Sequence, residues 1–318
     1  MKLHPGRDTR LLVIGAGDIG RRVIARLGSI KAKVATTSTP AKRGALKRLG
    51  ATAILADLDR PGSLKRLPCD WNLLLHCAPP PSAGPHDKRT RNLLKALRQP
   101  RAQRARSVAR AIVYLSTSGV YGDCGGARVS EACRPQPGNA RALRRLDAEV
   151  RLTRFARRAG MGLIILRVPG IYAPDRLPLA RLAAGTPAIL PAEDSYTNHV
   201  HAQDLAGIVL RALTILRRRR PRQRIYNASD DSEVRMGEYF DIVAHAFGLN
   251  TPPRLSRDAV RLVVSPLLWS FMGESRRLDN TRMKRELRVQ LTYPHVTHGV
   301  AQAARSRAPA KPAISLKA

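Results

Sequence analysis

The first half of the chain alternates short apolar runs with stretches whose apolar residues recur at helical spacing. Arg10 to Ile14 reads as a strand, and the segment after Gly17 through Leu27 as an amphipathic helix. Lys33 to Thr37 predicts a second strand, followed by a basic helix around Ala41 to Leu49. Thr52 to Ala56 and Asn72 to Cys77 predict two more strands, with a helix near Lys88 to Leu97. Ala111 to Leu115 is a clean apolar strand running into Ser116, Thr117 and Ser118. After a polar loop with Gly125, Gly126, Pro135 and Pro137, the spacing of Leu143, Leu146 and Val150 predicts a helix, and Leu163 to Val168 a last strand. Strands separated by helices imply an α/β fold, a doubly wound parallel sheet covered on both faces.

Beyond Pro169 the pattern turns irregular and richer in proline. Residues 169–300 therefore read as a smaller substrate-side region interleaved with the core of residues 1–168, and 301–318 as a disordered tail. At 318 residues and 43% hydrophobic content, the main body can bury a large core. The formal charge of +34 would attract polyanions, but the basic residues are spread along the chain, with concentrations at Arg98 to Arg110, Arg141 to Arg158 and Arg217 to Arg224. Aromatic residues make up only 4% of the sequence, too few for a base-stacking platform, so no specific nucleic-acid partner is expected. Cys69, Cys77, Cys124 and Cys133 form no C-x-x-C pair, which fits a reduced, cytoplasmic protein. Leu11 to Ile14 is too short for a signal-peptide core, and Ala259 to Met272 is short and carries Arg261. Neither spans a membrane, and no membrane partner is expected.

Gly15-Ala16-Gly17-Asp18-Ile19-Gly20 is a G-x-G-x-x-G placed between an apolar strand and an amphipathic helix. Gly15 allows the tight turn, Gly17 lets the backbone approach a pyrophosphate, and Gly20 lets helix and strand pack closely, with the helix N-terminus facing the phosphates. This is the Rossmann-type dinucleotide fingerprint, and it makes residues 1–168 an NAD(P)-binding domain. For NAD, an acidic residue is expected at the end of the second strand. Here Thr37 and Ser38 are followed by Lys42 and Arg43, with no Asp or Glu, which favours NADP over the alternative NAD. Lys42 and Arg43 facing solvent at a helix start is the competing reading. Asp57, followed by Leu58, either accepts a hydrogen bond from an adenine amino group or caps its own turn.

Several further segments resemble the extended short-chain dehydrogenase/reductase family, the NAD(P)-dependent epimerase/dehydratases, and its atypical bacterial members in particular. Ser116-Thr117-Ser118-Gly119-Val120-Tyr121-Gly122 is similar to the family's serine/threonine strand end with V-Y-G. Arg167-Val168-Pro169-Gly170-Ile171-Tyr172-Ala173-Pro174 resembles its R-x-P-G-I-Y-G-P turn, with Ala173 in place of glycine. Asn198 to Ala206 resembles its H-V-x-D-L-A segment, and Glu274 to Asn280 its C-terminal substrate-side segment. The resemblance spans about Arg10 to Val300. It implies an oxidoreductase or epimerase-like enzyme on a small polar substrate, with the nicotinamide near Thr117, Pro169 and the loop of Cys77 and Ala78.

The family's tyrosine and lysine have no counterparts. Aligned on Glu149, their positions hold Arg141 and Arg145, and there is no tyrosine between Tyr121 and Tyr172 and no lysine between Lys95 and Lys284. Arginine cannot exchange protons near neutrality, so Arg141 is no base, while Arg145 can still donate hydrogen bonds to ribose hydroxyls. Thr117 matches the residue that positions the substrate oxygen. Tyr121, His199 and His201 are the remaining candidates for proton transfer, Tyr121 also reading as a packed structural aromatic, and Arg276 lies on the substrate side. No metal site is expected, and Asp204 reads as a helix N-cap. The alternative reading is a catalytically degenerate dinucleotide-binding protein, redox-sensing or structural.

Overall fold

The computed structural model describes residues 7–98, 110–219 and 223–307. The first half follows the predicted alternation: β1 (Arg10–Ile14), α1 (Asp18–Arg26), β2 (Ala32–Thr37), α2 (Arg43–Arg48), β3 (Thr52–Leu55), β4 (Leu73–His76), α3 (Lys88–Leu97), β5 (Ala111–Thr117), α4 (Ala140–Arg158) and β6 (Gly162–Val168). The second half adds β7 (Gly170–Tyr172), α5 (Leu179–Ala183), β8 (His199–His201), α6 (Ala202–Arg219), β9 (Arg224–Asn227), α7 (Met236–Phe247), α8 (Arg257–Val263), α9 (Pro266–Met272), α10 (Thr281–Leu287) and α11 (Val296–Arg307).

Seven strands form one parallel sheet in the order β9-β6-β5-β4-β1-β2-β3, a Rossmann-type α/β arrangement. Strand residues alternate between two cores, as a period of two requires. Leu11, Val13, Leu73, Leu75 and Val113 face α1 and α6, while Leu12, Ile14, Leu74, Ile112 and Tyr114 face α3 and α4. Burial on both faces explains why these strands read as continuous apolar runs. β9 joins the sheet beside β6 after the chain has left it, pairing Tyr226 with Leu166, so residues 169–300 contribute a strand to the main sheet. A third core of Leu182, Met236, Phe240, Val243, Val260 and Met272 holds α5, α7, α8 and α9 together.

Three expectations need correction. The segment from Ala301 continues α11 as far as Arg307: Val300 and Ala303 are buried, and Gly299 lets the helix lie against Tyr172, whose ring stands 2.5 Å from where a Cβ would be. Residues 308–318 lie outside those described, as do most of the basic run of 98–110 and part of that of 217–224. α4 does not turn Leu143 and Val150 inward, and they are 46% and 39% exposed. The helix is rotated because it buries two charges. Arg144 donates to the carbonyls of Gly84 (2.7 Å) and Ser82 (3.2 Å), and Glu149 meets Arg167 of β6 at 2.8 Å. Asp204 is not the cap of α6. It lies in the first turn, where its carboxylate accepts the amides of Thr292 (2.9 Å) and Tyr293 (2.8 Å) and anchors the strap before α11.

The Glu149–Arg167 pair is fully enclosed, with Ser116 of β5 donating to Glu149 at 2.5 Å. Removing one member leaves an uncompensated buried charge. Glu149→Leu should therefore cost about 3–5 kcal/mol, while Glu149→Leu combined with Arg167→Met should recover most of that loss; urea unfolding of the three proteins checks it.

Candidate functional site

Chain order reverses in the sheet between β1 and β4, and a crevice opens at the carboxyl ends of these strands, where doubly wound sheets place ligands. The three loop glycines each meet a different demand there. Gly15 has a φ of +77°, and a Cβ on it would stand 2.6 Å from the Cα of Ala78, just past β4. A Cβ on Gly20 would lie 3.3 Å from Val13, where α1 presses on β1. Around Gly17 a Cβ would meet nothing within 4 Å, because that position faces the cleft. The amides of Asp18, Ile19 and Gly20 precede the first i−4 hydrogen bond of α1, from Arg21 to the Gly17 carbonyl (3.0 Å). These donors, with the positive end of α1, form a cradle that fits a diphosphate. The carboxylate of Asp18 is turned to Arg22 (2.9 Å) and Arg176 (3.3 Å), which offset its charge beside the cradle.

The cleft holds about 590 Å³ and runs from this loop past Cys77, Thr117 and Pro169 to Tyr196 and His199. Thr117 ends β5, and its Oγ1 accepts the amide of Gly119 at 3.2 Å, leaving the hydroxyl hydrogen to point elsewhere. Burial pushes the Cys77 thiol up to about 12, so it stays protonated. Arg145 reaches back across α4 to the carbonyl of Leu115 (2.8 Å) and the Tyr114 hydroxyl (3.2 Å), beside the ends of β4 and β5. Arg276 lies near the N-terminus of α4, bonded to the Gly122 carbonyl and to Glu274 (2.8 Å), which accepts from the Asn139 cap at 3.0 Å.

Other predicted residues lie apart from this cleft. Thr37 is buried at the end of β2, with Ser38, Lys42 and Arg43 exposed after it. Asp57 accepts the Asp59 amide at 2.9 Å and so caps its own turn, next to buried Leu58. Tyr121 does not reach the cleft. It is enclosed under the Arg167 guanidinium, 4.7 Å from the ring centroid, and its hydroxyl donates to Asn227 at 2.8 Å. Burial drives its pKa up to about 12, and, enclosed away from the cleft, Tyr121 is a structural aromatic and not the proton donor that the sequence allowed.

The histidines of β8 separate as well. His199 borders the cleft, 4.2 Å from the ring of Tyr239, and burial pushes its pKa down to about 3. His201 packs on Tyr293 at 4.0 Å and accepts the Gln203 amide, away from the cleft. Among the described residues, no three His, Cys, Asp or Glu side chains gather as a metal site would need. No helix among them is long and apolar enough to cross a membrane.

Reading the sequence missed Arg181, and it left Arg141 with no role beyond failing as a base. Both border the cleft, Arg141 over Phe271 (5.1 Å) and Arg181 over Phe240 (5.1 Å). Nothing in the arginine-rich sequence distinguishes them from solvated neighbours, since the partner rings come from distant helices.

Two measurements probe these features. Gly15→Ala should lower stability by about 1–3 kcal/mol through strain at positive φ and collision with Ala78, whereas Gly17→Ala should stay within about 1 kcal/mol of the parent in thermal unfolding. His199 has its ordinary pKa of 6.5 when unfolded and about 3 when folded, so the unfolded chain binds the extra proton between these values and stability falls as pH drops below 6.5. His199→Phe should remove about 2 kcal/mol of the loss between roughly pH 7 and pH 5, read from urea midpoints at both values.

Residues 11–229 match the family model described as the NAD dependent epimerase/dehydratase family. A functionally unknown conserved protein from Silicibacter pomeroyi DSS is similar over 94% of this chain and 99% of its own, at 29% identity and a TM-score of 0.76. UDP-glucuronic acid 4-epimerase from Bacillus cereus, solved in complex with NAD, shares the fold at 18% identity and a TM-score of 0.71, covering 94% of this chain and 99% of its own. DesIV, a dTDP-glucose 4,6-dehydratase from Streptomyces venezuelae solved with NAD and TYD bound, does so at 20% identity and a TM-score of 0.71, over 93% and 96% of the two chains. A search of curated proteins returned no match. The glycine cradle, the sheet order and the extent of the family match agree: this chain belongs to the NAD-dependent epimerase/dehydratase family.

Proposed function

We infer that this protein is an NADP-preferring oxidoreductase or epimerase-like enzyme for a small polar substrate, working without a tyrosine–lysine pair. The observation that carries this reading is a single cleft that joins the glycine cradle to a walled substrate side, with Thr117 between them. Gly17 fits the diphosphate because its missing side chain is what leaves the approach open. The exposed cations Lys42 and Arg43 after β2, with no carboxylate among them, support a 2′-phosphate, and Thr37, Ser38, Asp57 and Leu58 would border the adenosine.

When bound, the nicotinamide would supply the hydride donor or acceptor. Arg145 would hold the adjoining ribose, and Cys77, Ala78 and Pro169 would flank the ring. Thr117, with its oxygen already accepting the Gly119 amide, has a hydroxyl hydrogen to give to a substrate oxygen. His199 is the titratable ring on the substrate side. Kept neutral by burial, with its basicity lowered, it carries no proton to donate at neutral pH and is a weak acceptor of one.

One observation favours the alternative of a catalytically degenerate dinucleotide-binding protein: Arg141 cannot transfer a proton and Tyr121 is sealed away from the cleft. The two readings separate by experiment. In calorimetry, NADP should bind more tightly than NAD, Arg43→Glu should erase that preference, and Gly17→Asp should abolish binding of both. Equal affinity of the parent for both nucleotides would remove the NADP assignment. Reduced-nicotinamide absorbance across carbonyl and alcohol substrates should register turnover that Thr117→Ala lowers by roughly tenfold or more. Cofactor binding without turnover on any of them would favour the degenerate reading.

A further inference from the structure

Five arginines border the cleft, namely Arg141, Arg145, Arg176, Arg181 and Arg276, against two carboxylates, Asp18 and Glu274. Three of the five are already engaged. Arg176 faces Asp18 (3.3 Å), Arg276 faces Glu274 (2.8 Å), and Arg145 donates to the Leu115 carbonyl (2.8 Å). Arg141 and Arg181 are different: among the described residues neither has a hydrogen-bond or ion-pair partner, and each rests on a phenyl face. They come from different elements lining the cleft, Arg141 from α4 and Arg181 from α5.

Arg141 is exposed and Arg181 half-buried, so in the free protein their donors face the cleft and its water. Arg141, Arg144 and Arg145 occupy one turn of α4, where like charges three and four residues apart repel. Desolvation within the cleft and those two neighbours push Arg141 below its usual range, and burial does the same to Arg181. Each guanidinium carbon lies over a ring, 5.1 Å from the centroid of Phe271 or Phe240, and among the described residues its N–H groups meet no acceptor on the protein. A concave wall with unmatched positive charge concentrates anions.

We propose that Arg141 and Arg181 form an anion clamp that selects a compact, doubly anionic substrate, a small dicarboxylate or a sugar phosphate, whose negative charge the two guanidinium groups share. Arg141 lies one helical turn from Arg145, beside the ends of β4 and β5. One anionic group of the substrate therefore sits close to Thr117, in a short molecule, rather than at the end of a long diphosphate tail. This substrate class rests on the enzyme reading above.

Titration calorimetry on the full chain, with NADP saturating, tests it using oxaloacetate, a hexose monophosphate, UDP-glucose and glucose. At least one of the two compact dianions should bind, and which of them does separates carboxylate from phosphate. Arg141→Gln and Arg181→Gln should each weaken that binding roughly tenfold or more, with Arg141→Lys recovering only part and NADP affinity unchanged throughout. Glucose binding as well as the anions, UDP-glucose as the sole binder, neither compact dianion binding, or affinities unmoved by both substitutions would overturn the clamp. If NADP itself fails to bind, the dinucleotide reading falls separately, and the same ranking of anions is then sought with the protein alone.

Discussion

The main chains at the ends of β1 and β4 approach so closely that a Cβ on Gly15 would stand 2.6 Å from the Cα and 2.7 Å from the nitrogen of Ala78. That contact fixes the geometry of the crevice. It seats the turn after β1 directly against the loop after β4, so α1 starts with its unpaired amides facing the cleft, and Cys77 becomes the floor. Thr36 completes the turn, its Oγ1 accepting the Gly15 amide at 3.0 Å and its carbonyl the Ala16 amide at 3.0 Å. The cradle is held by three adjacent strands.

The far wall of the cleft depends on a different constraint. Glu149 and Arg167 are both enclosed, and their pairing with Ser116 ties α4 to β5 and β6 beneath the site. Burying those charges sets the rotation of α4, and the same rotation turns Leu143 and Val150 outward and brings Arg141 and Arg145 to the cleft. The network continues through Tyr121 to Asn227, whose side-chain amide donates to the carbonyls of Val129 (2.9 Å) and Asp279 (3.0 Å). The last strand of the sheet is thereby joined to the segment carrying Arg276.

Charge in the cleft is divided between engaged and unengaged arginines, and proton handling is correspondingly sparse. The loop carboxylate is offset by Arg22 and Arg176, and the substrate-side carboxylate by Arg276. The groups that ordinarily titrate near neutrality are held off it by burial: His199 and His76 are both pushed down to about 3. Hydrogen-bond donation and fixed positive charge dominate what this site offers a ligand, consistent with recognition of anions.

The linear chain determined the alternation of strands and helices, the glycine cradle and the absence of a tyrosine–lysine pair, because each is encoded in residues adjacent in sequence or at a fixed helical interval. Gly15, Gly17 and Gly20 could be assigned separate duties from spacing alone, since a strand–turn–helix leaves few alternatives. Tertiary structure alone decided which way α4 faces, where Tyr121 points, that His199 and His201 part company, and that Ala301 to Arg307 is helical. Each of these depends on partners far away in the sequence: Arg167 for Glu149, Asn227 for Tyr121, Tyr293 for His201 and Tyr172 for Gly299. Side-chain periodicity records how apolar a face is, but the free energy of enclosing a charge or a ring is set by the group it meets, and in this chain that group is brought in by the fold.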